Sequence, residues 1–377
     1  MRVNTGTSIP KKFWRTTITL PEGGTISASS TKNGLTGGSL SRKVGGLCTP
    51  SERNANLEGS RVFEGYSYTG LSENISISVL DKIEKTVKSC MDEDHYRVIL
   101  LLLGSDAIKL ILKEFKETFL KLCQKYNMKI AGAYGNQPLD HPQTDGWVNI
   151  GTCVIGGHDV KLPPGVYLGS NGNLIDAEFA EHTPFISLPP YDDTQMTFMD
   201  IRDPQYQERL DFIRTISKQK ISELGLNTTE NDNVLIYRVC EIRKDLSELR
   251  SLIREKKPKA VVLVLYHSGT ANTNRYTPKA NVAKLVAEYQ KQGIMFFGLT
   301  TNGEPTDLTL YETSTALRKA GVIPVYDEGT IAVARIRHAI NTGMERPDEI
   351  IDFVLPDSPM VGKNRDQIGA LKALYLH

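Results

Sequence analysis

The stretch TTITLPEGGTIS, residues 16–27, joins an apolar run to a Gly-Gly-Thr turn near the start of the chain. A second run, RVILLLLGSD at residues 97–106, also ends at a glycine and leads into a helical pattern. The hydroxyls of Thr25 and Ser105 and the carboxylate of Asp106 therefore follow two strand-like segments. In open α/β sheets, ligands bind outside the carboxyl ends of the strands. The two stretches predict a reactive site at that edge of a sheet.

The composition is typical of a folded protein with two domains. The chain has 377 residues, of which 40% are hydrophobic and 24% charged, and a formal net charge of +1. That length exceeds what one core usually holds, and the balanced charge gives no indication of a nucleic-acid partner. The apolar runs are strand-sized, well below the roughly 18 residues of a membrane span, so no membrane association is expected.

The cysteines and the short motifs exclude several classes of protein. Five scattered cysteines without metal-ligand spacing indicate a reducing compartment and no zinc site. The basic residues near the N-terminus have no apolar segment behind them, as a secretory signal would have. The sequence contains no dinucleotide-binding, phosphate-loop, zinc-protease or hydrolase-elbow motif. We expect a cytoplasmic protein without metal or cofactor.

The predicted fold class is α/β, with a larger N-terminal domain whose mostly parallel sheet is flanked by helices and a smaller C-terminal parallel α/β domain. Alternation of strands and helices carries this prediction. The predicted segments are an N-terminal arm at 1–15, an N-terminal domain at 16–190, an interdomain linker at 191–231, a C-terminal domain at 232–340 and a C-terminal tail at 341–377. A polar stretch at 27–70 is typical of a lid or another functional loop.

Three local predictions concern the candidate site. The spacing of apolar residues predicts a helix from Asp106 to about Tyr126, with Asp106 as its N-cap. Ser72 precedes another predicted helix, so a role as the N-cap of that helix accounts for a serine at this position as well as a role in binding does. Strands on either side of Ser170-Asn171-Gly172 are predicted to form a hairpin.

A series of blocks resembles the asparaginase/glutaminase family of amidohydrolases. In order, the blocks are Glu22–Ile26, Ser72–Ile75, Leu103–Ala107, Asp145–Asn149, Gly165–Gly172, Leu265–Asn272 and Ala320–Pro324. Any one block is weak, but their order and spacing agree with the family from about residue 16 to residue 340. The resemblance implies an asparaginase-like fold and a homodimer or homotetramer.

The resemblance also implies a reaction, which is hydrolysis of the side-chain amide of asparagine, glutamine or a related compound through an acyl-enzyme. Thr25 would be the nucleophile, and such a hydroxyl needs an adjacent base or cation to attack. Ser105 and Asp106 would keep the family's hydroxyl and carboxylate. Asp106 would also hold the amino group of an amino-acid ligand, and Ser72 would bind its carboxylate.

Gly24 and Gly104 complete the substrate-binding positions that the resemblance implies. Backbone N–H groups near Gly24 and Ser105 are candidate donors to an oxyanion, each worth roughly 3–4 kcal/mol in the transition state. For Ser105, the alternative is a helix start with no catalytic role. For Thr25, the alternative is a hydrogen bond within a turn at the end of a strand.

Two working parts of the family pattern are absent. The lysine expected about ten residues after the hairpin is replaced by Glu181-His182-Thr183, and the loop after Thr25 has no tyrosine before Gly65. His182 is a candidate base, because an imidazole titrates near pH 6.5, or it is an ordinary strand or loop histidine. Two functions therefore remain open: an active amidohydrolase, or a catalytically inactive asparaginase-like protein that binds a ligand or partner or serves as an assembly unit.

Overall fold

The structure is a computed structural model that describes residues 13, 17–21, 29–31, 34–36, 61–62, 70–91, 96–139, 141–186, 197–241, 245–355 and 365–375. The chain divides into two units, Met1–Thr183 with Thr194–Pro204, and Pro184–Asp193 with Gln205–His377. The predicted segment boundaries stay predictions. The predicted arm at 1–15 and the stretch at 27–70 lie largely outside the described residues.

The first unit is built on a six-stranded sheet with the strand order β4-β1-β5-β6-β7-β8. Its strands are β1 (Thr17–Pro21), β4 (Arg61–Val62), β5 (Val98–Leu102), β6 (Lys129–Ala133), β7 (Gly165–Ser170) and β8 (Asn173–Asp176). Two short strand pairs do not belong to this sheet. They are β2 (Ser29–Thr31) with β3 (Gly34–Thr36), and β9 (Ala180–His182) with β10 (Phe198–Asp200). All neighbours in the six-stranded sheet run parallel except β7 and β8.

Helices cover both faces of this sheet, which explains the continuous apolar sequence of its central strand. Among the described residues of the unit, the helices are α1 (Ile77–Met91), α2 (Ile108–Tyr126) and α3 (Gly146–Gly157). Alternate residues of β5, such as Val98 and Leu100, pack in one core with Ile150 and Val154 of α3. On the opposite face, the backbone of Gly132 in β6 lies against Leu112 of α2. A strand buried on both faces has no polar side to expose.

The second unit has a four-stranded parallel sheet with the order β11-β12-β13-β14. Its strands are β11 (Val234–Arg238), β12 (Ala260–Leu265), β13 (Met295–Thr300) and β14 (Val322–Pro324). Its helices are α4 (Pro204–Glu223), α5 (Ser247–Lys256), α6 (Val282–Gln290), α7 (Glu312–Ala320), α8 (Gly329–Asn341), α9 (Pro347–Val354) and α10 (Arg365–Tyr375). Two apolar cores lie on the two faces of this sheet.

The predicted fold class is confirmed, since a larger, mostly parallel sheet precedes a smaller parallel one. The hairpin is confirmed too: β7 and β8 pair across a turn in which Asn171 and Gly172 have φ of 45° and 80°. The prediction that Asp106 caps its helix is wrong. Helix α2 has Ala107 at its N-cap position, without a side-chain capping bond, and Asp106 lies in the preceding turn.

Candidate functional site

The carboxyl ends of β1 and β5 lie side by side. In the parallel register, Pro21 at the end of β1 is paired with Leu102 at the end of β5. The segments that leave these strands therefore start at the same edge of the sheet. Gly24 and Thr25, which follow β1, lie outside the described residues. Their expected roles stay predictions.

The segment after β5 buries the other predicted pair. Ser105 is 1% exposed and Asp106 is 2% exposed, and Gly104 is buried as well. The Ile108 amide donates to the Gly104 carbonyl over 3.3 Å, which closes the turn that leads from the strand into α2. A buried carboxylate is costly unless other groups compensate its charge. A turn that only connects a strand to a helix gives no reason to bury one.

Ser72 is also buried, at 2% exposure, and it starts a single 3₁₀ turn, Ser72–Asn74. Helix α1 begins five residues later, and the Val79 amide in its first turn donates to the Ser76 hydroxyl. The alternative that Ser72 caps this helix is therefore wrong. Its predicted role in binding a substrate carboxylate is untested by the geometry.

His182 lies on β9, which pairs antiparallel with β10. The residue is 4% exposed, and its ring lies 4.3 Å, centroid to centroid, from the ring of Phe198 on β10. Phe198 also makes an edge contact with Tyr134, whose hydroxyl bonds the Ser170 hydroxyl over 2.8 Å. The predicted base is thus part of a packed aromatic cluster rather than of an exposed loop.

An ion pair that the sequence did not reveal joins β9 to the start of α2. The Lys109 ammonium donates to the Glu181 carboxylate, and the two side chains are 12% and 40% exposed. Glu181 Oε1 also accepts the His182 amide over 3.1 Å and lies 4.0 Å from His182 Nδ1. Since Lys109 is in the first turn of α2, this pair places the strand of His182 at the same edge as Ser105.

The charge of Lys109 has a physical consequence at this position. A cation in the first turn of a helix opposes the helix dipole, so the Glu181 carboxylate offsets an unfavourable placement. The arrangement sets an ammonium, a carboxylate and an imidazole in sequence, next to the buried turn at Ser105 and Asp106. These are the group types that move protons and activate a hydroxyl.

The block Asp145–Asn149 has a structural role in this unit. Asp145 accepts the Asn136 amide over 2.7 Å, and burial raises the pKa of its carboxyl group. Asn149 donates to the Tyr134 carbonyl and accepts the Asn171 amide, which fixes the hairpin turn to α3. This block therefore supports the scaffold behind the sheet edge.

Within the described ranges, no three His, Cys, Asp or Glu side chains are grouped so that they could hold a metal ion. Among the helices that the structure describes, none combines the length and the apolar character needed to cross a membrane.

No model of a protein family matches the chain, and no curated protein matches it. Solved structures of L-asparaginases are similar over 91% of the chain. The thermostable L-asparaginase from Thermococcus kodakarensis is 17% identical, with a TM-score of 0.35 and 99% of its own length covered. L-asparaginase I from Vibrio cholerae is 14% identical, with a TM-score of 0.37 and 98% of its length covered.

Proposed function

We propose that this protein is an asparaginase-type amidohydrolase that acts on the side-chain amide of asparagine, glutamine or a related compound. The observation that carries the proposal is the burial of Ser105 and Asp106 at the end of β5, in register with the end of β1. Thr25 follows β1 by four residues and is the proposed nucleophile. The proposal includes a cytoplasmic homodimer or homotetramer.

The proposed reaction has two steps. The Thr25 hydroxyl attacks the amide carbon, the carbon–nitrogen bond breaks, and ammonia leaves with the proton that the hydroxyl gave up. Water then cleaves the ester, which frees the threonine and yields a carboxylate. Asp106 is proposed to bind the amino group of the substrate, and His182 to accept the proton, with the Lys109 ammonium favouring the charged nucleophile.

A second candidate is a catalytically inactive protein that binds an amide or amino acid at the same edge. The packing of His182 on Phe198 favours this candidate. An imidazole held against an aromatic ring stands where the resemblance implies a lysine, and it does not carry a permanent charge. The two candidates share the binding site and differ in whether Thr25 reacts.

Ammonia release from millimolar asparagine and glutamine tests the proposal. Wild type is expected to release ammonia, whereas Thr25→Ala releases none. Thr215→Ala is a matched control, because that exposed hydroxyl donates to the Asp211 carbonyl of its own helix. If folded wild type releases no ammonia but binds asparagine in calorimetry, the inactive candidate is correct. If Thr25→Ala keeps the activity, the nucleophile assignment is wrong.

A further inference from the structure

The second unit contains a cavity of about 460 Å³ at the edge of its sheet where the strands begin. The cavity lies between the ends of α5 and α6, next to the segments that lead into β12 and β13. This volume lies within the range of pockets that hold small organic ligands. The cavity is formed entirely by the second unit, so nothing said about it depends on the proposed amidohydrolase site.

Apolar side chains form the floor of the cavity. Ile253 and Tyr289 come from the two helices, and Pro258 and Ile294 come from the segments before the strands. All four residues are buried in the unit. Such a floor suits the flat or apolar part of a small molecule.

The rim of the cavity is cationic. Arg254, Lys257 and Lys259 line it and are exposed, and no acidic residue is among its lining residues in the described part of the chain. Three positive charges around one opening attract an anion and raise its local concentration.

Carboxylates on neighbouring segments of the second unit act on other cations. Asp232 accepts the Lys256 ammonium over 2.7 Å, and Glu288 forms an ion pair with Arg250. The charge of Glu255 also acts on Lys256. Within the described residues, no ion pair neutralises the rim, which distinguishes it from the paired charges on the adjacent surface.

The helix dipole explains only part of this charge. Cations in the last turn of α5, such as Arg254, interact favourably with its carboxyl end. Lys257, however, has a φ of 47°, a left-handed conformation in which glycine or asparagine is the usual choice. A lysine there costs roughly 1 kcal/mol. Lys259 lies beyond the helix, and its backbone is fixed by bonds to Asn233 and Met295.

We propose that this cavity is a binding site for a small organic phosphate, such as a nucleotide. The phosphate lies between Lys257 and Lys259, and the apolar ring packs on the floor beside Tyr289. Lysine ammonium groups bind phosphate as point charges. Because the rim is exposed, the affinity decreases as salt is added.

Isothermal titration with AMP tests the site, with adenosine as the uncharged comparison. AMP is expected to bind wild type, and the double variant Lys257→Gln/Lys259→Gln is expected to bind it roughly tenfold more weakly, from the loss of two partly screened charge contacts. Lys256→Gln is the matched control, because that lysine is adjacent but paired with Asp232 and absent from the cavity lining. Its affinity should equal that of wild type.

Three results would overturn the inference. The first is the absence of any heat of binding with AMP at about 5 mM, a concentration at which even a weak site is occupied. The second is equal affinity of wild type and the double variant for AMP. The third is adenosine binding as tightly as AMP. All three substitutions are on exposed side chains, so matching thermal unfolding curves will show that the comparison is between folded proteins.

Discussion

The ion pair of Lys109 with Glu181 predicts an asymmetric loss of stability when either partner is removed. Replacing Glu181 by glutamine removes a carboxylate from an ammonium that is 12% exposed and lies in the first turn of a helix. Replacing Lys109 by glutamine leaves a carboxylate that is 40% exposed and can hydrate. The first change should therefore cost more than the second.

The expected magnitudes follow from this difference in exposure. Breaking a fully buried pair costs about 3–5 kcal/mol, and an exposed pair contributes about 0–1 kcal/mol. We expect a loss of about 2 kcal/mol in the free energy of unfolding for Glu181→Gln. For Lys109→Gln we expect about 1 kcal/mol, because the helix dipole no longer opposes a cation there. The double variant should lose less than both single losses added, with a coupling energy of about 1 kcal/mol.

Urea unfolding followed by circular dichroism measures these values, with linear extrapolation to water. The exposed pair of Arg214 with Asp211, at 64% and 71% exposure, is the control. Its double-mutant cycle should give a coupling energy near zero. Equal losses from the two single variants of the Lys109–Glu181 pair, or strictly additive losses, would refute the reasoning.

Three further predictions follow from the packing and charges. Gly169→Ala should lower the free energy of unfolding by about 1–3 kcal/mol, because the added Cβ would clash with Cys153 and lie 3.0 Å from the Asn149 carbonyl. Gly369→Ala should raise the free energy of unfolding by roughly 0.5–1 kcal/mol in the same urea assay, because the added Cβ meets open space in α10. Burial lowers the pKa of the His158 imidazole below its usual 6.5. The free energy of unfolding should therefore decrease as pH falls below about 6.5, where the unfolded chain binds the proton more readily. Thermal scans from about pH 7.5 to about pH 5.5 should show a smaller decrease for His158→Gln. If His182 accepts the proton, His182→Ala should abolish ammonia release in a variant that still folds; unchanged release would remove His182 from the mechanism.

Much of the scaffold could be predicted from local sequence. The run Val98–Leu102 is uninterrupted and apolar, so a buried parallel strand was the simple prediction, and the hairpin turn at Asn171 needs the left-handed backbone that this residue type tolerates. Helix α9 was missed although its sequence carries a start signal, with Pro347 at the first helical position and Asp348 and Glu349 in the first turn. An acidic first turn after proline indicates a helix start even where the apolar stripe is short.

The site was only partly predictable, because its pairings join distant parts of the chain. Lys109 and Glu181 are 72 residues apart, and no sequence motif contains both or predicts their contact. The sequence does not predict strand β10, because three residues are too short to show an alternating pattern and the strand depends on its pairing with β9. The cap assignment at Asp106 failed because the chain makes a further turn before the helix starts at Ile108.

The measurement that most directly tests the central claim is the steady-state rate of ammonia release from asparagine by Asp106→Asn. Asp176→Asn is the matched control, since that carboxylate pairs with Lys116 away from the turn at Ser105. The account predicts that Asp106→Asn lowers kcat/KM by about a hundredfold, in line with loss of a group that acts on the substrate, and that the control stays within about twofold of wild type. Equal rates for wild type and Asp106→Asn would contradict the claim that this buried edge of the sheet is the active site.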